Sequence, residues 1–280
     1  MKVLRNIENG TTSIKKMGIV KTFLVLLLSI LLETLGLIPV SIFNLFSENF
    51  EKAATYIDFS LGILVKYAVI VILLKWFSNK TDEQKTKNHL EPRKFIYTAL
   101  IIIAFRMIFD NSLTLLISDI PMPDFINDAF EELAVSPIIL ILSVAVVAPI
   151  YEEIVFRGIL LKGMVKKINP AMALIISALF FALVHMNIPQ GINAFLLGIV
   201  IGAIYLNTGS IYLSIFAHFV NNILAITISS LFMTIVGKYS MGVHGIFLII
   251  GVMLLVISCK GYNQNKMEEK PEIYKQFVEM

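Results

Sequence analysis

The chain has 280 residues, of which 57% are hydrophobic and only 15% charged, a balance that excludes an ordinary soluble domain and leaves lipid as the solvent. Its net charge of +3 is a topology signal, and no nucleic-acid partner follows from it. Cys259 is the single cysteine, which excludes an intramolecular disulfide and a thiolate metal cluster.

A helix crosses about 30 Å of hydrocarbon with roughly twenty apolar residues. In chain order, eight runs approach that length: residues 18–46, 54–77, 95–118, 136–160, 170–187, 191–207, 211–236 and 243–259. The expected fold class is therefore all-α, a polytopic membrane protein of about eight transmembrane helices, with residues 1–280 forming a single integral membrane domain. The first run is too long for a signal-peptide core, and no small-residue cleavage pattern follows Glu33, so it is expected to be retained.

Cytoplasmic loops carry the excess of Lys and Arg. Four alternate segments hold 18 of the 23 basic residues. They carry Lys2, Arg5, Lys15, Lys16 and Lys21; then Lys75, Lys80, Lys85, Lys87, Arg93 and Lys94; then Lys162, Lys166 and Lys167; then Lys260, Lys266, Lys270 and Lys275. Only Lys52 and Lys238 fall outside, with Lys66, Arg106 and Arg157 inside runs, so both termini are expected to be cytoplasmic. The stretch from Asp119 to Glu132 has five acids and no base, which suits an outer loop with a short interfacial helix.

Ionisable groups within spanning segments cost about 2.5–3.5 kcal/mol each on insertion scales and so need a partner or a purpose. The densest group is Tyr151-Glu152-Glu153-Ile154-Val155-Phe156-Arg157 on the fourth run. Glu153 and Arg157, at i and i+4, share a helix face and can neutralise each other. Glu152 is turned about 100° away and points elsewhere. The fifth run ends on Phe181-Ala182-Leu183-Val184-His185, and the seventh contains His218-Phe219-Val220-Asn221-Asn222. If residues 165–170 turn at the cytoplasmic side, Glu152 and His185 both lie roughly 20 Å above that turn. His218 reaches the same level if the turn at 207–210, which has no Lys or Arg, is sunk toward the bilayer interior.

A glutamate and a histidine facing each other can hold a water and take its proton as it attacks a carbonyl. Burial would raise the carboxylate pKa and make it a better base near neutrality. Glu152 is the candidate base and His185 its partner on the water. His218 and the Asn222 amide are candidate donors to the oxyanion that develops. The same side chains also permit a zinc ion held by His185, His218 and Glu152, although the HExxH helix that would argue strongly for zinc is missing. The metal question stays open in the sequence.

Glu152-Glu153-xxx-Arg157 resembles the EExxxR motif of the CAAX-protease and bacteriocin-processing (CPBP or Abi) family, Phe181-xxx-His185 its FxxxH motif, and His218-xxx-Asn222 its HxxxN/D motif. The resemblance spans roughly residues 136–225, the expected catalytic core, and the three elements stand in the family's order. It implies an intramembrane helix bundle opening to the cytoplasmic leaflet, with Glu152, His185, His218 and Asn222 catalytic. Glu153, Arg157 and Phe181 would support them. It also implies a peptide or membrane-anchored protein as substrate. The chain's own C-terminus has no CAAX cysteine, and the resemblance is to bacterial members, in the plasma membrane.

Each motif also has a plainer explanation. Glu153 and Arg157 would serve as a buried packing pair, His185 as an interfacial histidine, and Asn222 as an interhelical amide whose role Asn221 can exchange. Arg106 and Asp110, again i and i+4, read as a structural pair. Lys66 either snorkels or pairs with an acid on a neighbouring helix, while Glu33 is structural or lines a substrate path. His89 and His244 receive no role, and Gly198 and Gly202 form a small-residue stripe for close packing. Two other functions compete with the peptidase. One is a non-enzymatic bacteriocin self-immunity or scaffold protein; the other is a proton-coupled transporter, disfavoured because no inverted repeat is apparent.

Overall fold

The computed structural model describes residues 2–44, 51–80, 91–134, 136–229 and 241–264. Of the residues named above, Lys85, Lys87, His89, Lys238, Lys266, Lys270 and Lys275 lie outside these ranges. The side chains of Lys52 and Lys80 are likewise outside the description.

Eleven helices follow one another among the described residues: α1 Lys2–Glu8, α2 Ile19–Asn44, α3 Glu51–Phe77, α4 Pro92–Asp110, α5 Leu113–Ile117 and α6 Asp124–Ala134. They continue as α7 Pro137–Met164, α8 Pro170–Leu183, α9 Ile188–Thr208, α10 Ile211–Ile223 with a π-helical extension Leu224–Ser229, and α11 Met241–Gln264. Every apolar run meets helix among the described residues, but the third, 95–118, is divided between α4 and α5 and is not among the helices long and apolar enough to cross. The runs 18–46 and 211–236 end outside the described residues. Five helices are long and apolar enough to cross a membrane: residues 19–42, 55–77, 137–164, 188–208 and 241–262. α8 and α10 are shorter apolar helices. The chain is an all-α polytopic membrane protein. One departure from pure helix is a small antiparallel ribbon, β1 Thr12–Ile14 against β2 Ser78–Lys80, in which Ser13 faces Asn79.

Polar and apolar residues are distributed as lipid demands. Val20, Leu24, Leu31, Leu64 and Ile257 stand exposed, whereas Glu153, Arg157, Arg106 and Asp110 are buried. In water such a surface would aggregate; against acyl chains it loses nothing.

The chain packs as two units, Met1–Thr86 with Asp124–Ala173, and Lys87–Pro123 with Leu174–Met280. In the first, α2 and α3 pack on each other where Gly36 leaves room for Val65. A Cβ on Gly36 would come within 2.6 Å of a Val65 methyl. The N-terminal arm closes one end of this unit. Ile14 and Met17 are buried, the Met17 N–H donates to the Gly163 carbonyl at 2.9 Å, and Lys166 donates to the Ile14 carbonyl at 2.6 Å. Helix α6 belongs to this unit and buries none of its residues. A helix does form in the acidic stretch, as expected there.

In the second unit, a core of Ile102, Leu197, Ile201, Ile204, Leu213 and Ala217 joins α4, α9 and α10. Helix α11 lies along α4, with Gly251 against Met107 and Ile108. Lys94 donates to the Tyr262 carbonyl at 2.8 Å. Arg106 pairs with Asp110 at 2.5 Å, as the i, i+4 spacing predicts. His244, given no role from sequence, is buried in the first turn of α11 and hydrogen-bonds Asn111 through Nδ1 at 3.0 Å.

Candidate active site

The carboxylate motif sits on α7 in the first unit. This helix starts cleanly: Ser136 accepts a hydrogen bond from the Ile139 N–H, and Pro137 occupies the first turn, where its missing N–H costs nothing. Pro149 then falls in the helix interior, where proline removes a hydrogen bond and clashes with the preceding turn. The backbone responds by widening. Leu142–Val147 is π-helical, Ala148–Glu153 is a short α-helical turn, and Ile154–Leu161 is π-helical again. Such widening is frequent at functional sites.

Glu152 and Glu153 therefore sit on six α-helical residues between two π-helical stretches. Glu153 and Arg157 form the expected pair, Nη1 to Oε1 at 2.9 Å, with both side chains essentially inaccessible. Glu152 is half-buried, on a different face from its neighbour, and interacts electrostatically with Arg157 and Tyr151.

The imidazoles belong to the second unit. Helix α8 ends at Leu183, two residues earlier than the expectation that His185 closes the helix. The chain leaves it through Met186, whose φ of 52° is left-handed. His185 thus lies in a turn. Its Nδ1 is 2.8 Å from the Phe181 carbonyl; because a carbonyl oxygen only accepts, Nδ1 carries the proton and the neutral ring keeps its lone pair on Nε2. Asn187 fixes this turn from the other side. Its amide donates to the His185 carbonyl at 2.8 Å, and its oxygen caps α9 by accepting from the Gln190 N–H at 2.9 Å.

Phe181 is fully buried, and its ring meets both imidazoles edge-on, with centroids 5.1 Å from His185 and 5.6 Å from His218. One phenyl ring therefore brings the two histidines into one neighbourhood. Gly198 makes this possible. A Cβ there would lie 3.1 Å from Ala178 and 3.4 Å from the Phe181 ring, the close packing expected of the glycine stripe.

His218 and Asn221 are buried on α10, and Asn222 is half-buried. Asn221 donates to the Asn222 side-chain oxygen at 2.9 Å, so the two amides act as a linked pair. The turn before α10 is partly buried, with Asn207 exposed and Gly209 half-buried. Thr208 and Ser210 are buried, Gly209 takes φ 66°, and Ser210 caps α10 at the Leu213 N–H. Within neither unit are three His, Cys, Asp or Glu side chains among the described residues gathered to hold a metal. Two imidazoles, His185 and His218, stand against Phe181, one short of the three protein ligands usual for catalytic zinc.

Three features of the site are invisible to motif spacing: the π-helical widening, the Asn187 brace and the linkage of Asn221 to Asn222. Pro149 was the available signal for the first, and Asn187-xx-Gln190 reads as a capping box for the second.

Residues 134–224, which contain all three motifs, match the family model described as Type II CAAX prenyl endopeptidase Rce1-like. The family resemblance read from the motifs holds. The chain is also similar to a curated protein of Bacillus subtilis (strain 168), named "Putative membrane peptidase YdiL", with 34% identity over 86 residues. That match covers 31% of this chain and 35% of the relative; the chain thus spans about a third of that protein's length. No solved structure matches the chain.

Proposed function

We propose that this protein is a membrane-embedded endopeptidase, cleaving a peptide or membrane-anchored protein near the cytoplasmic leaflet of a bacterial plasma membrane. In this reading about eight helices cross the bilayer and both termini are cytoplasmic. The observation that carries the reading is the shared contact of His185 and His218 with Phe181, inside a segment that matches a peptidase family.

Glu152 takes a proton from water as the oxygen attacks the scissile carbonyl. His185, with Nδ1–H held by the Phe181 carbonyl, presents Nε2 to accept the water's second hydrogen. The developing oxyanion is met by His218 and the Asn222 amide, donors aimed before the charge appears. Collapse of the tetrahedral species breaks the C–N bond, and the proton on Glu152 passes to the leaving amine. The buried Glu153–Arg157 pair holds the motif's helix without taking part.

If zinc is bound, His185, His218 and Glu152 would hold it, and it would supply a water of lowered pKa.

The test compares wild type with Glu152→Gln and His185→Ala in the native host, by mass spectrometry of secreted and membrane-associated peptides at matched expression. The same precursors accumulate in both variants if the reading is right. Unchanged peptide profiles with a retained phenotype would reject it and favour an immunity or scaffold protein.

A further inference from the structure

The first unit contains a second group of charges inside apolar helices. Glu33 is the one acid of span 19–42, and Lys66 lies mid-way along span 55–77. They form an ion pair between α2 and α3, both side chains largely shielded. Neither stops at the other. The Lys66 ammonium lies 4.7 Å from the centroid of the Tyr151 ring, and the Glu33 carboxylate that pairs with Lys66 interacts electrostatically with Tyr151. Tyr151 is itself buried and immediately precedes Glu152.

The backbone at this point needs an external brace. Glu152 rides on a six-residue α-helical turn with π-helical stretches on either side and Pro149 within it. A ladder interrupted in this way fixes the rotation of the turn poorly. A tyrosine whose ring packs under the Lys66 ammonium, itself paired with Glu33, holds the turn in rotation and depth against α2 and α3. Gly36, one turn beyond Glu33, admits Val65, the neighbour of Lys66, so the two helices close at the level of the clamp.

We propose that Glu33, Lys66 and Tyr151 are positioning residues for Glu152, a three-point clamp that sets the direction of the catalytic carboxylate. This rests on the peptidase reading for its consequence, although the clamp itself can be tested without it. A pair that only fastened α2 to α3 would be replaceable by apolar side chains at no loss, since well-packed hydrophobic residues often match or exceed a buried ion pair in stability.

The experiment uses the full chain in phospholipid nanodiscs and three variants: Glu33→Leu with Lys66→Met, Tyr151→Leu alone, and Glu152→Gln as control. Thermal unfolding reports folding. The rate at which dicyclohexylcarbodiimide labels Glu152, located by mass spectrometry, reports the carboxylate's setting without needing a substrate. Precursor processing in the host reports the reaction. The clamp predicts normal unfolding, a labelling rate altered by about threefold or more, and processing slowed by about tenfold in the first two variants, since small misplacements of reacting groups are costly. Wild-type labelling and processing in a well-folded Tyr151→Leu protein would overturn it, and that variant also decides if the double variant fails to fold. If Glu152→Gln processes normally, the peptidase reading falls while the labelling rates still judge the clamp.

Discussion

The Phe181 ring stands edge-on to His185 at 5.1 Å and to His218 at 5.6 Å, with interplanar angles of 85° and 89°. Edge-on aromatic contacts of this kind are worth about 0.5–1.5 kcal/mol each beyond burial. Replacing Phe181 with leucine removes both contacts together and leaves the apolar volume largely filled. Processing is expected to fall by more than about tenfold, with a shift in unfolding temperature of only a few degrees. Host peptide profiles and thermal unfolding check the two halves of this prediction.

The Glu153–Arg157 pair is fully enclosed. Glu153→Gln leaves Arg157 without its countercharge and is expected to cost about 3–5 kcal/mol, whereas Glu153→Leu with Arg157→Met stays near the wild-type value. Unfolding titrations in mixed micelles distinguish these. A double variant as unstable as the single would show that the pair does more than satisfy itself.

Gly198 faces Ala178 and Phe181 with no room for a branched side chain. Gly198→Val is expected to destabilise by about 1–3 kcal/mol through overpacking and to slow processing by displacing Phe181. Gly198→Ala, which asks its neighbours to give by a few tenths of an ångström, sits between wild type and valine in both measurements.

Asn187 both caps α9 and holds the His185 carbonyl. Loss of a cap costs about 1 kcal/mol, so Asn187→Ala folds. Its processing rate falls because the His185 turn is loosened, and Asn187→Asp, which keeps the capping acceptor but loses the donor to His185, is expected to be as slow. Restored stability without restored rate is the result to look for.

Under the glutamate mechanism, dialysis against 1,10-phenanthroline leaves processing by the purified protein in nanodiscs within about twofold of the untreated rate. Loss of activity that zinc restores would assign the water to a metal held by His185, His218 and Glu152.

The helices were legible because a bilayer enforces long apolar runs, although the run 95–118 is split between α4 and α5. The three motifs were legible because charge in such runs is costly. What spacing did not reveal was local or distant. His185 lies beyond its helix because the chain turns through Met186 at φ 52°, a feature no apolar period encodes. The partner of Lys66 is Glu33, 33 positions away, and only tertiary packing selects it over other acids. The ribbon between residues 12–14 and 78–80 is too short for alternation to register.

The arm that ends in Met17 has an unusual place in the order of synthesis. Its seat is built from Phe77, Gly163 and Lys166, so residues 14–17 contact the end of α3 and positions much later in the chain. The α2–α3 hairpin and the ribbon of residues 12–14 with 78–80 can form early, but the contacts of the arm with Gly163 and Lys166 wait until α7 has followed. The arm therefore lacks the α7 contacts of Met17 and Ile14 through about 150 residues of translation, which at 5–20 residues per second is on the order of ten to thirty seconds. During that interval it is a natural substrate for chaperones and proteases, and slowing the emergence of α7 should expose it longer.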